Sequence, residues 1–389
     1  MKKNILYLHA GAELYGADKV LLDLLANLDK KRFHPIVVLP NDGPLVTKLK
    51  ENNIEVHVVE YPILRRKFFN LKGVFSYPFL YIKYCKEIIK KINIKKIDVV
   101  HVNTTAVLEG IYFKKFYKIP LVWHIHEILL KPKFLFEFTS FLVQRYSDVI
   151  VVVSEAVKEH LLTSKSIKQD KIKVVYNGVN NKVYYPKNDS VELKEEFSLP
   201  KDSIIVGMIG RINSWKGQED FVKAMSPITN ANENVYALMV GDVFEGEEFR
   251  KIELTKIIDS TNCPEKFRMI GFRMDTANIY NLYDIFVLPS TQPDPLPTVV
   301  LEAMATGKPI IGYNHGGITE MVKDSYNGLL CSVGNPEALT KGILTLIENQ
   351  LLRDTYGENS LVRQKEYFSL DSYLNNFSKI YLNLPSGGE

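Results

Sequence analysis

Hydrophobic and polar positions follow two alternating patterns along this chain. Short runs of β-branched and other apolar residues are separated by longer segments in which apolar residues recur at helical spacing, such as Asp18–Leu28, Pro44–Asn52 and Glu219–Met225. Regular alternation of this kind predicts an α/β fold with parallel sheets and helices on both faces. The predicted strands are Asn4–Leu8, Pro35–Leu39, Glu55–Val59, Val99–Val102, Leu121–Ile125, Val149–Val153, Ile204–Ile209, Val235–Val240, Arg268–Ile270, Ile285–Leu288 and Pro309–Gly312.

The series of strands is interrupted at residues 177–186, which read N-G-V-N-N-K-V-Y-Y-P. A chain of 389 residues has the length expected for two domains. We therefore predict two Rossmann-like, doubly wound parallel-sheet domains facing across a cleft, residues 1–183 and 184–370. A C-terminal helix at about 371–384 is expected to pack back on the first domain. In such sheets ligands bind beyond the carboxyl ends of the strands.

Composition is that of a globular protein, with 46% hydrophobic and 24% charged residues. No run approaches the roughly 18 to 20 apolar residues that cross a bilayer. The short apolar stretch after Met1 runs directly into Gly11–Gly16, which favours a buried first strand over a signal peptide. Three widely spaced cysteines support neither a disulfide framework nor a zinc site, so we expect a cytoplasmic protein.

The net charge of +4 is unevenly distributed. Residues 1–186 hold 30 Lys and Arg against 17 Asp and Glu, a charge of +13, and the remainder carries −9. Aromatic residues stand among the lysines of the first half, at 65–69, 79–83, 113–118 and 131–136. Such segments are typical of proteins that bind anionic membranes, although a solvated basic surface over core aromatics has the same pattern. Nucleic acid is not expected, because no groove-reading motif accompanies the charge.

One candidate phosphate site follows the strand Ile204–Ile209. The segment Gly210–Gly217 reads G-R-I-N-S-W-K-G and precedes a helical segment. Arg211 and Lys216 therefore stand on a loop at a strand end, near a helix N-terminus. Two cations with free backbone N–H groups suit a diphosphate, although surface cations have the same pattern.

A second candidate site contains Asp294 and Glu302. They are eight positions apart, between a strand end and a short helix that ends at Gly307. A carboxylate at a helix start accepts hydrogen bonds from a ribose diol, and an acid on the preceding loop can accept them from sugar hydroxyls. Acid pairs at this spacing are usually solvated, but this setting is uncommon.

These segments together resemble the retaining GT-B glycosyltransferases of family four, the type that builds bacterial cell-surface polysaccharides. Asp294 and Glu302 match the family's acid-x7-acid motif, and Arg211 and Lys216 match its Arg-x4-Lys. Further matches occur in the family's order over nearly the whole chain. They are Gly16-Ala-Asp18, Val153-Ser-Glu155, Asn177-Gly-Val-Asn180, Gly241-Asp242, Gly271-Phe272, Glu302–Ile310 and Gly316-Gly-Ile-Thr-Glu320. Asp294 stands where the family usually has glutamate, and Pro297 where it usually has glycine, so one backbone donor is lost.

The resemblance also implies the site residues. His126 matches the family's strand-end histidine, and its neighbour His124 shares the same strand face. The catalytic residues implied are His126, Arg211, Lys216 and Asp294. The donor-binding residues implied are Gly16, Ala17, Gly210, Arg211, Lys216, Ile270, Phe272, Asp294, Leu296, Thr298, Val299 and Glu302.

The implied function is transfer of a sugar from a UDP- or GDP-type sugar nucleotide, with retention of anomeric configuration. Its acceptor would be a glycan or polyprenyl-diphosphate-linked glycan, at the inner face of the cell membrane. No metal and no cofactor are expected, because Arg211, Lys216 and helix-end amides would neutralise the leaving diphosphate and no DxD motif stands in a plausible loop. The alternatives are a non-catalytic sugar-nucleotide-binding protein and an epimerase of the same fold. A nicotinamide-dependent dehydrogenase is disfavoured, because no early strand leads into the GxGxxG fingerprint.

Overall fold

The computed structural model describes residues 2–65, 68–187 and 191–386, apart from the side chain of Leu71. It divides into two compact units. The first comprises residues 1–178 and 370–389, and the second residues 179–369. Each unit has its own parallel sheet with Rossmann-like connections, which confirms the predicted fold class. None of the helices in the described ranges is both long and apolar enough to span a membrane.

The first unit contains a seven-stranded sheet in the order β3-β2-β1-β4-β5-β6-β7, with every pairing parallel. Its strands are β1 (Lys3–Leu8), β2 (Phe33–Leu39), β3 (Glu55–Val58), β4 (Val99–Val102), β5 (Leu121–Ile125), β6 (Val149–Val152) and β7 (Ile172–Val174). The helices between them are α1 (Gly16–Asn27), α2 (Pro44–Glu51), α3 (Leu71–Lys91), α4 (Glu109–Tyr117), α5 (Lys133–Tyr146) and α6 (Glu155–Leu162).

The second unit contains a six-stranded parallel sheet in the order β10-β9-β8-β11-β12-β13. Its strands are β8 (Ile204–Ile209), β9 (Val235–Val240), β10 (Phe267–Ile270), β11 (Ile285–Leu288), β12 (Ile310–Tyr313) and β13 (Gly328–Cys331). Its helices are α7 (Val191–Glu196), α8 (Gln218–Ala231), α9 (Glu248–Asp259), α10 (Thr276–Leu282), α11 (Thr298–Ala305), α12 (Ile318–Met321), α13 (Pro336–Glu348) and α14 (Gln350–Tyr367).

Two strands were not predicted, β7 and β13, and both stand at the end of a sheet. They are three and four residues long, and each contains partly exposed positions. A lysine interrupts β7 (Ile-Lys-Val), and β13 (Gly-Leu-Leu-Cys) contains no β-branched residue, so neither has the run of β-branched apolar residues from which the other strands were predicted.

The last helix, α15 (Leu370–Asn383), belongs to the first unit although it follows the whole of the second in sequence. It packs against α1 and buries Tyr373, Phe377 and Tyr381 in the core of the first unit. Right-handed crossovers place α1 and α2 on one face of the sheet and α3 to α6 on the other. On the face that carries α1 and α2, these two helices cover only the side of the sheet from β1 to β3. Without α15, β4 and β5 would be uncovered on that face.

Both sheets reverse their strand order at one point. In the first unit the reversal lies between β1 and β4, and in the second between β8 and β11. Loops on either side of such a point diverge to opposite faces and leave a crevice at the carboxyl edge. Gly16 and Ala17 follow β1, and Gly210, Arg211, Lys216 and Asp294 follow β8 or β11, so these candidates flank the reversal points, whereas His126 follows β5 and Ile270 and Phe272 lie at the end of β10.

Candidate functional site

The loops that follow β8 and β11 pack against each other at the reversal point of the second unit. Gly217 has a φ of +84°, and a Cβ there would lie 1.9 Å from the carbonyl oxygen of Pro289. The N–H of Thr291 donates to the carbonyl of Trp215 at 2.7 Å. The side chain of Asn213 accepts from the N–H of Lys216 at 2.9 Å, which fixes the turn. These contacts hold the segment with Arg211 and Lys216 beside the segment with Asp294.

Lys216 and Asp294 meet as an ion pair, the ammonium of Lys216 donating to Oδ2 of Asp294. Their side chains are only 14% and 10% exposed. The hydroxyl of Ser290 also reaches Oδ2 of Asp294, at 3.4 Å. Lys216 is therefore not a solvated surface cation. A mostly buried lysine needs an anion, and Asp294 provides it.

Arg211 lies on an aromatic ring. Its guanidinium carbon stands 3.4 Å from the ring centroid of Phe244, in the loop after β9. Arg211 is half-buried. The Gln218 amide donates to the carbonyl of Arg211 at 2.9 Å and ties the loop to the first residue of α8. Stacking on the ring fixes the plane of the Arg211 guanidinium.

Gly316 and Gly317, the glycine pair that follows β12, pack against the backbone of Asp294. Gly316 has a φ of +65°, and a Cβ there would lie 2.7 Å from the carbonyl oxygen of Asp294. The N–H of Gly317 donates to that same oxygen at 2.7 Å. His315, just before the pair, makes a 2.6 Å contact from Nε2 to the carbonyl of Ser290. The pair therefore allows the acid-bearing loop to approach the backbone closely.

Glu302 lies in the fifth position of α11, so its expected place at a helix start is wrong. It is buried, and the hydroxyl of Tyr280 in α10 donates to its Oε2 at 2.8 Å. The first residues of α11 are Thr298 and Val299, directly after Pro297. Their backbone N–H groups therefore stand at the amino end of this helix.

The other expected donor-binding residues are placed as follows. Ile270 ends β10 and its carbonyl accepts from Gly241 at 3.0 Å, while Phe272 after it is 50% exposed. Gly210 follows β8 and its N–H donates to Val240 at 3.0 Å. Leu296 is buried ahead of α11. All of these residues stand at or beyond the carboxyl edge of the second sheet.

The first unit carries a buried polar network at its own reversal point. Gly16 and Ala17 begin α1, and Asp18 beside them is buried. Oδ1 of Asp18 lies 2.5 Å from Nε2 of His9, and Oδ2 accepts from the N–H of Tyr15 at 3.0 Å. Burial opposes ionisation of Asp18, but the hydrogen bond with His9 and those from the backbone of Tyr15 and Glu13 together outweigh it and lower the pKa of Asp18.

The network continues to the predicted histidine. Nε2 of His126 lies 3.0 Å from Oδ1 of Asn103. The amide nitrogen of Asn103 lies 3.1 Å from Nδ1 of His9. Because the amide oxygen only accepts and the amide nitrogen only donates, His126 and His9 each carry a proton on Nε2. Nε2 of His126 also lies 3.2 Å from Nδ1 of His124, so the two rings share one face of β5 as predicted.

His126 and His124 differ in exposure. His124 is fully buried, whereas His126 is half-buried and is the one that reaches accessible surface. Burial lowers the pKa of His126 to about 3 and places that of His124 well below its ordinary value. Both imidazoles are therefore neutral at physiological pH.

Sequence reasoning missed several partners that shape these sites. Those in the second unit are Phe244, Tyr280, Ser290 and His315, and those in the first are His9, Asn103 and Glu127, which accepts a hydrogen bond from the hydroxyl of Thr104. Most of them stand within a few residues of a strand end. Polar or aromatic residues there were the available signal, but many strand-end residues have no such role.

Two family models match the chain. Residues 189–363 match the glycosyl transferases group 1, and residues 15–183 match Glycosyltransferase Family 4.

Individual relatives agree with these matches. An uncharacterized glycosyltransferase of Methanocaldococcus jannaschii is 30% identical over 62% of this chain, a match that covers 60% of the relative and thus less than two thirds of its length. The Escherichia coli UDP-Gal:alpha-D-GlcNAc-diphosphoundecaprenol alpha-1,3-galactosyltransferase is 25% identical over 87% of this chain and 86% of its own. The crystal structure of Anabaena HepE with UDP and glucose has a TM-score of 0.85 and 26% identity, covering 98% of this chain and 99% of HepE.

Proposed function

Because this chain belongs to the glycosyltransferases, we propose that it transfers a sugar from a nucleotide-diphosphate sugar to a glycan or lipid-linked acceptor. Two of the relatives favour these substrates. HepE was solved with UDP and glucose, and the E. coli relative is named for a UDP-galactose donor and a diphosphoundecaprenol-linked acceptor.

The observation that carries the proposal is the partly buried pair of Lys216 and Asp294 at the reversal point of the second sheet. A lysine that is 14% exposed and bonded to one carboxylate oxygen is positioned without needing a ligand to order it. In the proposal Lys216 and the stacked Arg211 bind the donor's diphosphate, Asp294 binds its sugar, and Glu302 binds its ribose. Fixed cations of this kind stabilise charge that grows on a leaving group.

The proposed reaction proceeds with retention and without a metal ion. The bond from the anomeric carbon to the diphosphate oxygen breaks, and a bond from the same carbon to the acceptor oxygen forms on the same face. The acceptor's hydroxyl proton passes to the leaving diphosphate. The negative charge released on the diphosphate is then balanced by Arg211, Lys216 and the backbone N–H groups that begin α11.

The acceptor is proposed to bind the first unit, with His126 offering a neutral imidazole to a sugar hydroxyl. The proposal includes peripheral attachment to an anionic membrane at its cytoplasmic face, which suits an acceptor carried on lipid. The basic segment 65–69 was expected to contribute to this attachment. Its residues Arg66 and Lys67 lie outside the described residues.

Thermal unfolding of the protein with a panel of UDP- and GDP-sugars tests the donor first. One sugar nucleotide should raise the midpoint by mass action, by about 2.7 kcal/mol of stability at a hundredfold excess over its dissociation constant. With that donor, transfer to a lipid-linked glycan acceptor should persist in excess chelator, and the product's anomeric configuration should match the donor's.

Three results would contradict the proposal. Binding of a donor with neither transfer nor slow donor hydrolysis would indicate a binding protein. Loss of activity in chelator that is restored by Mg²⁺ or Mn²⁺ would overturn metal independence. Inversion of the anomeric configuration would overturn retention.

A further inference from the structure

We infer that the first unit docks on an anionic lipid bilayer through exposed apolar side chains of α3 and α5, five phenylalanines and one isoleucine. These residues, the aromatic face, are Phe75, Phe79 and Ile82 of α3 and Phe134, Phe138 and Phe141 of α5, each between 47% and 80% exposed. The inference deepens the proposed membrane attachment by naming the surface. It does not depend on sugar transfer.

The spacing of these residues shows that each helix has a second apolar side. On both helices they stand at positions i, i+4 and i+7, which is the pattern of one helix face. That pattern normally marks the side that faces the core. Here the core side is formed by other residues, Cys85 and Ile88 on α3 and Leu135, Phe136 and Val143 on α5.

The two helices present these residues in one layer. Right-handed crossovers place α3, α4 and α5 on the same face of the sheet, and α4 packs against both of its neighbours. The rings of Phe69 and Phe134 are 6.0 Å apart, which joins the segment before α3 to the start of α5. Phe116 of α4 is 61% exposed, and its ring lies 4.6 Å from that of Tyr112, which is 6.2 Å from the ring of Tyr81 in α3.

The charges around the aromatic face indicate which kind of partner binds it. No aspartate or glutamate occurs between residues 61 and 86, and Lys72, Lys83 and Lys86 of α3 are exposed. Lys131 and Lys133 flank Phe134 and are also exposed. A second copy of this chain would bring lysines against lysines, whereas anionic headgroups complement them. Aromatic rings enter the interfacial region while lysine ammonium groups stay among the headgroups.

Co-sedimentation with vesicles of phosphatidylcholine containing phosphatidylglycerol tests the inference. The full chain should sediment with these vesicles and do so less as salt rises. With vesicles of phosphatidylcholine alone, the protein should remain in the supernatant. The variant Phe75→Ser, Phe79→Ser, Phe138→Ser should lose at least about tenfold in partitioning, because it removes three of the six apolar side chains of the aromatic face. Lys72→Glu, Lys83→Glu, Lys86→Glu should lose about a hundredfold or more at low salt.

Matched variants in the second unit serve as controls. Phe249→Ser with Leu351→Ser removes exposed apolar side chains, 49% and 77% exposed, and Lys201→Glu, Lys341→Glu, Lys365→Glu reverses exposed charges. Both should bind vesicles as the wild type does. Wild-type protein that ignores anionic vesicles at low salt, or variants of the aromatic face that bind normally, would overturn the inference. If the wild type self-associates but binds no vesicle, and the aromatic-face variants abolish the self-association, the surface would be assigned to a second copy of the chain instead.

Donor-induced thermal stabilisation separates this outcome from failure of the proposed function. A protein that binds vesicles but no sugar nucleotide retains the docking inference and loses the enzymatic one. A protein that binds and hydrolyses the donor but binds no vesicle retains the proposed enzymatic function and loses the docking inference.

Discussion

The ammonium group of Lys216 donates a hydrogen bond to Oδ2 of Asp294, and the two residues are 78 positions apart in the chain. Both side chains are largely shielded from water. The pair joins the loop after β8 to the loop after β11, so its members cannot be altered independently. A substitution of Lys216 changes the charge available to a ligand and also leaves Asp294 without its cation.

This coupling predicts a stability loss as well as a loss of activity. Lys216→Met should destabilise the second unit by about 3 kcal/mol, because it leaves a buried carboxylate unpaired. Adding Asp294→Asn should recover part of that loss. Urea unfolding of the two single variants and the double variant measures the coupling. As the control, Lys223→Met breaks a 3.9 Å contact to Asp220 from a lysine that is 55% exposed, and it should cost less than about 1 kcal/mol. Additive single effects at Lys216 and Asp294 would contradict the coupling.

Phe244 should matter to turnover through Arg211. Arg211→Ala should cost about 2 to 4 kcal/mol of transition-state stabilisation if Arg211 neutralises the leaving diphosphate. Phe244→Leu removes the ring beneath the guanidinium and should lower kcat/KM by about threefold, since an exposed cation–π contact is worth about 0.5 to 1 kcal/mol.

The matched control for Phe244 is Phe249→Leu. It removes a similarly exposed ring that stacks on Arg250 at 4.9 Å, and it should leave the kinetics unchanged. Equal effects of the two substitutions would remove Phe244 from any positioning role.

The buried histidines predict a loss of stability in acid. Burial lowers the pKa of His101 to about 3, while an unfolded histidine has a pKa near 6.5. Between these values the unfolded chain binds a proton that the folded chain does not. Stability should therefore fall as pH falls from about 6.5 towards 3, by up to about 1.4 kcal/mol per pH unit for this group.

Replacing His101→Phe should flatten that pH dependence. Urea unfolding at pH 7, 6 and 5 measures it, with Tyr381→Phe as the control. Tyr381 shares a 2.8 Å hydrogen bond with His101, so this control removes the contact and keeps the imidazole. The control should retain the wild-type slope. An unchanged slope in His101→Phe would show that other groups carry the acid sensitivity.

The C-terminal helix should stabilise the first unit and not the second. Phe377 of α15 is fully buried in the first core, so Phe377→Ala should cost about 3 to 5 kcal/mol. Leu382→Ala in the same helix truncates a side chain that is 40% exposed and should cost no more than about 0.5 kcal/mol.

Each unit contains one tryptophan, which makes the effect of Phe377 assignable. In a Trp215→Phe background the remaining Trp123, buried in β5, reports unfolding of the first unit. A shift of this transition without a change in donor binding is the expected result. An unshifted Trp123 transition in Phe377→Ala would contradict the placement of α15.

The sequence alone determined the alternation of strands and helices, because a parallel strand buried on both faces appears as a continuous apolar run. It also located the loops that carry Arg211, Lys216 and Asp294, since glycines and charges directly follow such runs. It did not identify β7, which a lysine interrupts, or β13, which contains no β-branched residue.

Only the tertiary structure decided which residues meet. The contact of Lys216 with Asp294, of Arg211 with Phe244 and of α15 with the first core each joins segments far apart in sequence. The tertiary structure also decided which apolar side chains of α3 and α5 face water. Both helices are apolar on more than one side. Hydrophobic periodicity shows which side chains are apolar, but it does not show which of them a neighbouring element covers. That neighbour depends on the order of strands in the sheet, which sets which helices lie side by side.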